Sequence, residues 1–338
     1  MFDGSLTMSF QALNCPAHVV GSLKHRTHLR TRCPNLCFLA KSSSSILLQT
    51  EEHDNLLDPK NLGSSSFPFG SQTTAPLLSQ ANTVGIIGGM SAVSTLRFLK
   101  KLVQRSANDG EESLPFVVCS DPVLNKELSS LERSSFPYLN SRSPLSPLDQ
   151  TAIVKNLRQK RDFLEGAGAR CIVMPCHISH SWYGEISDES GVPFLHVGEC
   201  VAKELKEANL KPVGTGSSVR IGVLGSEAIL NAGFYQEKLQ DQGFEVVLPD
   251  KATMEHTIIP AIEALNRKDM EGAGNLLRIA LQVLLVRAVN TVILASDDMQ
   301  NLLPRDDPLL KKCIDPLEAL ARSTIQWAQS PGNIEQKS

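Results

Sequence analysis

The chain has 338 residues, which is long enough for one large domain or two smaller ones. Its formal net charge of −3 gives no reason to expect a nucleic acid or an acidic lipid surface as a partner. No apolar run approaches the roughly 18 residues that a membrane-spanning helix needs, so a membrane partner is not expected either.

Residues 1–80 differ in composition from the rest of the chain. Before Glu51 the only acidic residue is Asp3, whereas serine is abundant and lysine and arginine recur. A serine-rich, acid-poor N-terminus that contains arginine is typical of an organelle transit peptide. We therefore expect a disordered presequence over residues 1–80 and a location in the chloroplast, as in a plant-like protein. The alternatives are a mitochondrial presequence, or an ordinary disordered tail on a cytoplasmic protein.

The chain contains eight cysteines. Three of them fall in the expected presequence, and the other five show neither a CxxC pair nor the Cys/His spacing of a zinc site. A disulfide framework is not expected in a chain of this size with a reducing destination. His177 and His180 could suggest a metal, but they follow a strand end and lack an obvious third ligand. We expect no bound metal.

Ordered structure is expected to begin near Thr83. Thr83–Ile87 is a largely β-branched apolar run that predicts a strand, and Gly88 and Gly89 predict a tight turn after it. Ser94–Arg105 has the apolar spacing of a helix. Together these segments predict an opening βα unit. The glycine turn does not match the GxGxxG pattern, which disfavours a dinucleotide cofactor.

The remainder of this first half alternates apolar runs with amphipathic segments. Its further predicted strands are Leu114–Cys119, Cys171–Met174 and Val192–Val197, and its further helices are Thr151–Glu165 and Glu199–Ala208. Glu127–Leu148 is polar and rich in serine and proline, and we expect a long loop there.

After a Gly/Ser/Pro linker at Pro212–Ser218, the pattern starts again. Arg220–Leu224 predicts a strand, Ile229–Gln242 a helix, and Thr291–Ala295 another strand. We therefore expect an α/β fold with two similar, pseudo-symmetric domains, each a short, mainly parallel sheet flanked by helices. The first domain is expected over 83–211 and the second over 219–304, with a ligand cleft between them.

One position in each half carries a reactive type of side chain at a strand end. Cys176 follows the Cys171–Met174 run, and Ser296 follows Thr291–Ala295. Open α/β sheets bind ligands at the carboxyl ends of their strands, so Cys176 is a candidate catalytic thiolate. The alternative is a cysteine buried for packing alone, because cysteine is among the most buried residue types. Asp121 and Asn125 follow another strand end and could line the cleft or simply cap turns.

Several motifs, in order along the chain, resemble those of the aspartate/glutamate racemase family, which works without pyridoxal phosphate or another cofactor. The resemblance runs from Val84 to Ala328. It is carried by Ile87-Gly88-Gly89-Met90, Met174-Pro175-Cys176 with Ser179-His180, Leu224-Gly225-Ser226, Gly233-Phe234-Tyr235, Val292–Asp297 and Ile314-Asp315-Pro316. It implies that a terminal helix, 314–329, packs back on the first domain.

The resemblance implies racemisation of an aspartate-like or glutamate-like amino acid, and a homodimer. Two cysteines of this family face the substrate from opposite sides, one removing the α-proton and the other returning it. Cys176 matches the first cysteine, but Ser296 stands at the second, and His177 replaces an asparagine of the motif. The substrate-binding residues that we expect from the matching motifs are Gly88, Gly89, Met90, Ser179, Ser226 and Asp297. Asp121 and Asn125, which follow the second predicted strand, are added because of their place at a strand end.

Because a serine hydroxyl is a far weaker acid than a thiol, three hypotheses stay open. In the first, the chain is a racemase in which Cys176 works with His177 or His180, since imidazole titrates near neutrality. In the second, one cysteine suffices for an isomerisation or decarboxylation. In the third, the chain binds an amino acid or dicarboxylate without catalysis and acts as a regulator.

Overall fold

The computed structural model describes residues 80–108, 114–134, 150–213, 218–296 and 299–330. The chain divides into two units, Met1–Gly70 and Ser71–Ser338, and every described residue belongs to the second. The expected presequence, residues 1–80, lies outside the described residues except for Gln80. Asp297 lies outside them as well.

The first half of the described chain is a four-stranded parallel sheet with helices around it. The strand order is β2-β1-β3-β4, and every neighbouring pair is parallel. Its strands are β1 (Val84–Ile87), β2 (Phe116–Cys119), β3 (Cys171–Val173) and β4 (Phe194–Leu195). Its helices are α1 (Ala92–Asn108), α2 (Pro122–Ser134), α3 (Gln150–Gly166), α4 (Tyr183–Ser187) and α5 (Val197–Glu207), with a 3₁₀ turn at Ile178–Trp182.

The second half repeats this arrangement. Its strand order is β6-β5-β7-β8, again all parallel. Its strands are β5 (Arg220–Gly225), β6 (Glu245–Val247), β7 (Thr291–Ala295) and β8 (Cys313–Ile314). Its helices are α6 (Glu227–Ala232), α7 (Phe234–Gln240), α8 (Lys251–Thr253), α9 (Ile259–Asn266), α10 (Met270–Val286) and α11 (Pro316–Ala328).

The identical strand order of the two sheets confirms the predicted fold class of two similar α/β halves. The central strands β1, β3, β5 and β7 are buried almost throughout, as expected for parallel strands covered by helices on both faces. One apolar cluster contains residues of both sheets, for example Ile86 and Val173 with Val223 and Ile293. The two halves therefore share a continuous core.

The last helix, α11, packs against α1 and α5 of the first half. Its acidic N-terminal region meets basic side chains of α1: Lys101 Nζ lies 2.8 Å from Asp315 Oδ2 and 3.0 Å from Glu318 Oε2. Asp315 also accepts a hydrogen bond from the Leu317 amide and so caps the helix that it precedes. The chain thus crosses back to the first half after completing the second sheet.

Two local predictions are wrong. The loop expected at Glu127–Leu148 is helical as far as Ser134, because Asp121 Oδ1 accepts a hydrogen bond from the Val123 amide and starts α2. Residues 135–149 lie outside the described part. The single helix expected at Ile229–Gln242 is two helices, because Gly233 takes a left-handed conformation with φ of 74° and separates α6 from α7.

Candidate active site

Strand register places Cys176 and Ser296 at equivalent points of the two halves. Val173 pairs with Ile86 in the first sheet, and Ile293 pairs with Val223 in the second. Cys176 lies three residues after Val173 of β3, and Ser296 lies three residues after Ile293 of β7. The same register makes Gly89 the counterpart of Ser226. The turns after β1 and β3 thus correspond, residue by residue, to those after β5 and β7.

Cys176 is almost completely buried, and its sulfur faces the turn after β1. The Met90 amide donates a hydrogen bond to Cys176 Sγ over 3.3 Å. A backbone N–H directed at a sulfur is a contact that stabilises negative charge on that sulfur. Gly89 and Met90, predicted to lie at the site, therefore form the wall that contacts this cysteine, whereas Gly88 of the same turn faces Ser120.

The wall is closest at Gly89. A Cβ atom at this position would overlap the Cys176 Cβ and lie 2.5 Å from Sγ, so only glycine fits. Asn125 of α2 supports the same turn: with its amide oriented to donate, its nitrogen bonds to the carbonyl oxygens of Gly89 and, at 2.9 Å, Asp121. Asn125 is thus brought to the predicted site, where it holds the backbone that contacts Cys176.

His177 joins the two halves beside Cys176. Its Nδ1 lies 2.9 Å from the hydroxyl of Tyr235, and the two groups share a buried hydrogen bond. Tyr235 belongs to α7 of the second half, and its side chain is fully buried. Helix α6, which follows Ser226, packs against the 3₁₀ turn that follows Cys176. The β5 turn and the Cys176 segment are therefore neighbours.

His180 is held by the end of β3. Its Nε2–H donates to the Met174 carbonyl over 2.9 Å, and its ring packs among Tyr183, His196 and Phe234. Burial, with a contribution from His196, holds the pKa of His180 well below its ordinary value, so its ring is neutral. His180 thus anchors the end of β3 through Nε2, and its pairing with Cys176 stays a prediction.

Two buried serines at the site lack partners. The hydroxyls of Ser179 and Ser226 are each about 1% exposed and have no hydrogen-bond partner within the described structure. A buried hydroxyl without a partner costs about 1–3 kcal/mol, so such groups normally meet a ligand or water. Both positions were predicted to bind substrate. Their chemistry suits the oxygen atoms of a carboxylate.

Asp121 caps a turn, which is the alternative to its predicted place in the ligand cleft. Oδ2 lies 2.8 Å from Lys160 Nζ and 3.3 Å from Asn156 Nδ2, while Oδ1 caps α2 through Val123. The Lys160 hydrogen bond and the Val123 amide lower the pKa of Asp121 to about 2. Both carboxylate oxygens are thus engaged by protein groups.

Sequence reasoning placed Tyr235 in a motif but gave it no role at the site, and it did not identify Lys160. Tyr235 lies 58 residues from its partner His177, and Lys160 lies 39 residues from Asp121. Neither pair leaves a local sequence signal. Among the residues that the structure describes, no three His, Cys, Asp or Glu side chains are grouped so as to hold a metal ion.

A family model described as Asp/Glu/Hydantoin racemase matches residues 87–324, which is most of the chain. This chain belongs to the Asp/Glu/Hydantoin racemase family. The matched region begins in β1 and ends within α11, so it contains both Cys176 and Ser296. The predicted family is thereby confirmed.

Individual relatives in the racemase family are distant. The broad specificity amino-acid racemase RacX of Bacillus subtilis is 27% identical over 172 residues, which is 49% of this chain and 64% of RacX. The match therefore spans less than two thirds of that relative. An aspartate racemase homologue from Pyrococcus horikoshii OT3 has a TM-score of 0.58 and 22% identity over 74% of this chain and all of that one.

An aspartate racemase from Picrophilus torridus gives a TM-score of 0.53 at 23% identity, covering 73% of this chain and 94% of that one. At these identities the solved structures establish the shared two-domain α/β fold. None of the helices in the described segments is both long enough and apolar enough to cross a membrane.

Proposed function

We propose that this protein is a cofactor-independent amino-acid racemase that acts on aspartate-like or glutamate-like substrates through Cys176. The observation that carries the proposal is the Met90 amide directed at Cys176 Sγ, at the carboxyl end of a central parallel strand. Such a donor prepares the sulfur to act as a base. The racemase family and the activity of RacX on amino acids support the same reaction class.

In the proposed step, the Cys176 thiolate takes the α-proton and becomes a thiol. The electron pair of the broken C–H bond passes to the α-carbon and its carboxylate, whose oxygens accept hydrogen bonds from Ser179 and Ser226. These two hydroxyls are the unpartnered groups at the site. A proton returned to the opposite face of the α-carbon completes inversion.

The return of the proton is where this chain departs from two-cysteine chemistry. Ser296 occupies the second position, and its hydroxyl is too weak an acid to exchange protons as a thiol does. We propose that His177, held by Tyr235, takes part in the return step. The presence of Ser296 favours a second candidate function, a one-sided reaction in which Cys176 alone exchanges the α-proton without inversion. Binding without catalysis is the remaining alternative.

The experiment is incubation of the purified protein with L- or D-aspartate and L- or D-glutamate in D₂O. Racemisation predicts α-deuteration together with inversion, and one-sided chemistry predicts deuteration with retention. The Cys176→Ser variant should lose both. Cys119→Ser is the matched control, since Cys119 also ends a strand of the same sheet but is not at the proposed site.

A lack of α-deuteration with all four substrates would contradict the racemase proposal and favour a binding protein. The Ser296→Cys variant then tests the equivalence of the two halves. If Ser296 stands at the second acid position, a thiol there should raise inversion at least tenfold. An unchanged rate would contradict that equivalence.

A further inference from the structure

A second cavity lies outside the Cys176 site. Its volume is about 290 Å³, and it opens between α5 and α11 at the carboxyl end of β4. The side chains that line this cavity include those of Leu195, His196, Glu199, Lys203, Gln326 and Trp327. None of them was assigned above to the reaction. A volume near 300 Å³ is the lower end of the range for small-molecule sites, which limits an occupant to about one ring.

His196 provides a hydrogen-bond donor inside this cavity. Its Nδ1 accepts a hydrogen bond from the Gly198 amide over 3.0 Å and caps α5, so the proton of the neutral ring is on Nε2. That bond is the only hydrogen bond of the ring within the described segments, and the side chain is 2% exposed. Burial, with a smaller effect of Lys238, lowers its pKa to about 4, which keeps the ring neutral at pH 7. The Nε2–H group is thus a donor with no protein acceptor in the part of the chain that the structure describes.

Lys203 adds a positive charge on the same helix, where its Nζ lies 4.0 Å from Glu207 Oε1. Its ammonium bonds to Gln326 Oε1 over 2.8 Å, which connects α5 to α11 at the cavity. The carboxylate of Glu199 lies 3.1 Å from Lys238 Nζ, so a neighbouring lysine already balances its charge. The donors His196 Nε2–H and Lys203 Nζ therefore suit a carboxylate.

The rest of the lining combines apolar side chains with the hydroxyls of Ser323 and Ser330. Trp327 presents an indole ring, and Leu195 an aliphatic side chain. Aromatic side chains favour stacked or edge-to-face contacts with another ring. The cavity thus combines a carboxylate-binding end with a wall that fits one aromatic ring.

We propose that this cavity binds a small aromatic carboxylate, with the carboxylate at His196 and Lys203 and the ring against Trp327. The site is independent of the proposed racemase reaction, because it shares no residue with that reaction.

The test is isothermal titration calorimetry on the full chain with 3-phenylpropionate and with its neutral analogue 3-phenylpropan-1-ol. The acid should bind at least tenfold more tightly than the alcohol. Lys203→Met should weaken binding of the acid about tenfold or more. Lys206→Met is the matched control, because Lys206 is on the same helix but bonds to Gln242 and does not line the cavity. Its affinity should equal that of the wild type.

Trp327→Leu provides a second variant, with circular dichroism to verify folding, and should also weaken binding at least tenfold. The proposal is overturned if 3-phenylpropionate does not bind, or if neither Lys203→Met nor Trp327→Leu weakens it. Cys176→Ala should retain full affinity. Loss of binding in Cys176→Ala, or competition by saturating L-aspartate, would place the ligand in the Cys176 site and overturn the proposal as well.

Discussion

Gly89 is the residue that gives Cys176 its position and its surroundings. The backbone of the β1 turn comes so close to the cysteine that a side chain at Gly89 would overlap it. This approach is what allows the next amide, that of Met90, to reach Sγ. A thiol at a strand end becomes a candidate base through this backbone contact.

We predict that Gly89→Ala destabilises the fold by about 1–3 kcal/mol, the usual cost of overpacking, and slows alkylation of Cys176 by iodoacetamide at least tenfold. The reason is that the turn must move away, which removes the Met90 hydrogen bond. Gly184→Ala is the control, because no atom lies within 4 Å of a Cβ there. Gly184→Ala should keep the alkylation rate of Cys176. Its free energy of unfolding should rise by up to about 1 kcal/mol, since alanine favours a helix. Equal alkylation in Gly89→Ala and the wild type would contradict this role of the turn.

A second prediction concerns the hydrogen bond between His177 and Tyr235. Tyr235→Phe removes the hydroxyl and leaves a buried imidazole nitrogen without that partner, at a cost of about 1–3 kcal/mol. If His177 takes part in returning the proton, inversion of aspartate should also fall about tenfold. Tyr183→Phe is the control: it removes a hydroxyl that donates to the Phe194 carbonyl over 2.7 Å. Chemical denaturation and polarimetry should show a loss of stability in both variants and a loss of inversion only in Tyr235→Phe.

At the scale of elements, α2 depends on a contact with α3. Asp121 caps α2 and pairs with Lys160, whose side chain is buried. The buried ammonium has left water and needs this carboxylate. Helix α2 in turn carries Asn125 to the Gly89 turn. An ion pair between two helices thus supports the backbone beside Cys176.

We expect Asp121→Asn to lower stability by about 1–3 kcal/mol at pH 7, because it leaves Lys160 without its charged partner. The pKa of Asp121 is about 2 in the folded chain and about 4 when unfolded. Its stabilising effect is therefore complete above pH 4 and disappears as the pH falls toward 2. Urea titrations of the wild type and Asp121→Asn should differ at pH 7 and converge toward pH 3. A difference that does not depend on pH would contradict the ion pair.

The strands could be predicted because their signal is local. Buried parallel strands are continuous apolar runs, and Thr291–Ala295 was predicted with the bounds that it has in the structure. Helix α2 was missed because its sequence is polar, and its support comes from Lys160, far along the chain. Helix propensity depends on the residues of the helix itself and does not reflect such a distant partner.

The candidate site was predictable only in part, for the same reason. Cys176 and the glycine turn stand in recognisable motifs at strand ends. The hydrogen bond between His177 and Tyr235 requires that the two halves pack together, so no motif indicates it. The ring of His180 donates a hydrogen bond to the carbonyl oxygen of Met174. The sequence shows Met174 only as an apolar residue of a predicted strand. Side-chain roles set by packing between halves thus escape sequence reasoning.

At the scale of the whole molecule, an aromatic cluster lies where the two halves meet. His180 and His196 of the first half pack against Phe234 of the second, with ring centroids 5.8 Å and 5.6 Å away. The two histidine rings are themselves 4.8 Å apart. Both have lowered pKa values, mainly because burial disfavours the charged ring. Protonation of either ring is therefore disfavoured in this packing.

This cluster predicts loss of stability in mild acid. An unfolded histidine binds a proton below pH 6.5, whereas folded His196, with a pKa of about 4, does not. Between these values the unfolded chain holds more protons, so stability falls as the pH falls from 6.5 toward 4. At about 1.4 kcal/mol per pH unit, His196 alone should cost about 2 kcal/mol at pH 5. His180 adds to the loss in the same direction.

The variant His196→Asn tests this argument, because asparagine caps a helix as well as any residue and does not titrate near neutral pH. Urea denaturation at pH 7 and pH 5 should show a smaller loss on acidification in His196→Asn than in the wild type. His256→Asn is the control: His256 is exposed and outside the cluster, so this variant should lose as much stability as the wild type. An equal loss in His196→Asn and the wild type would mean that the junction of the halves does not exclude a charged His196.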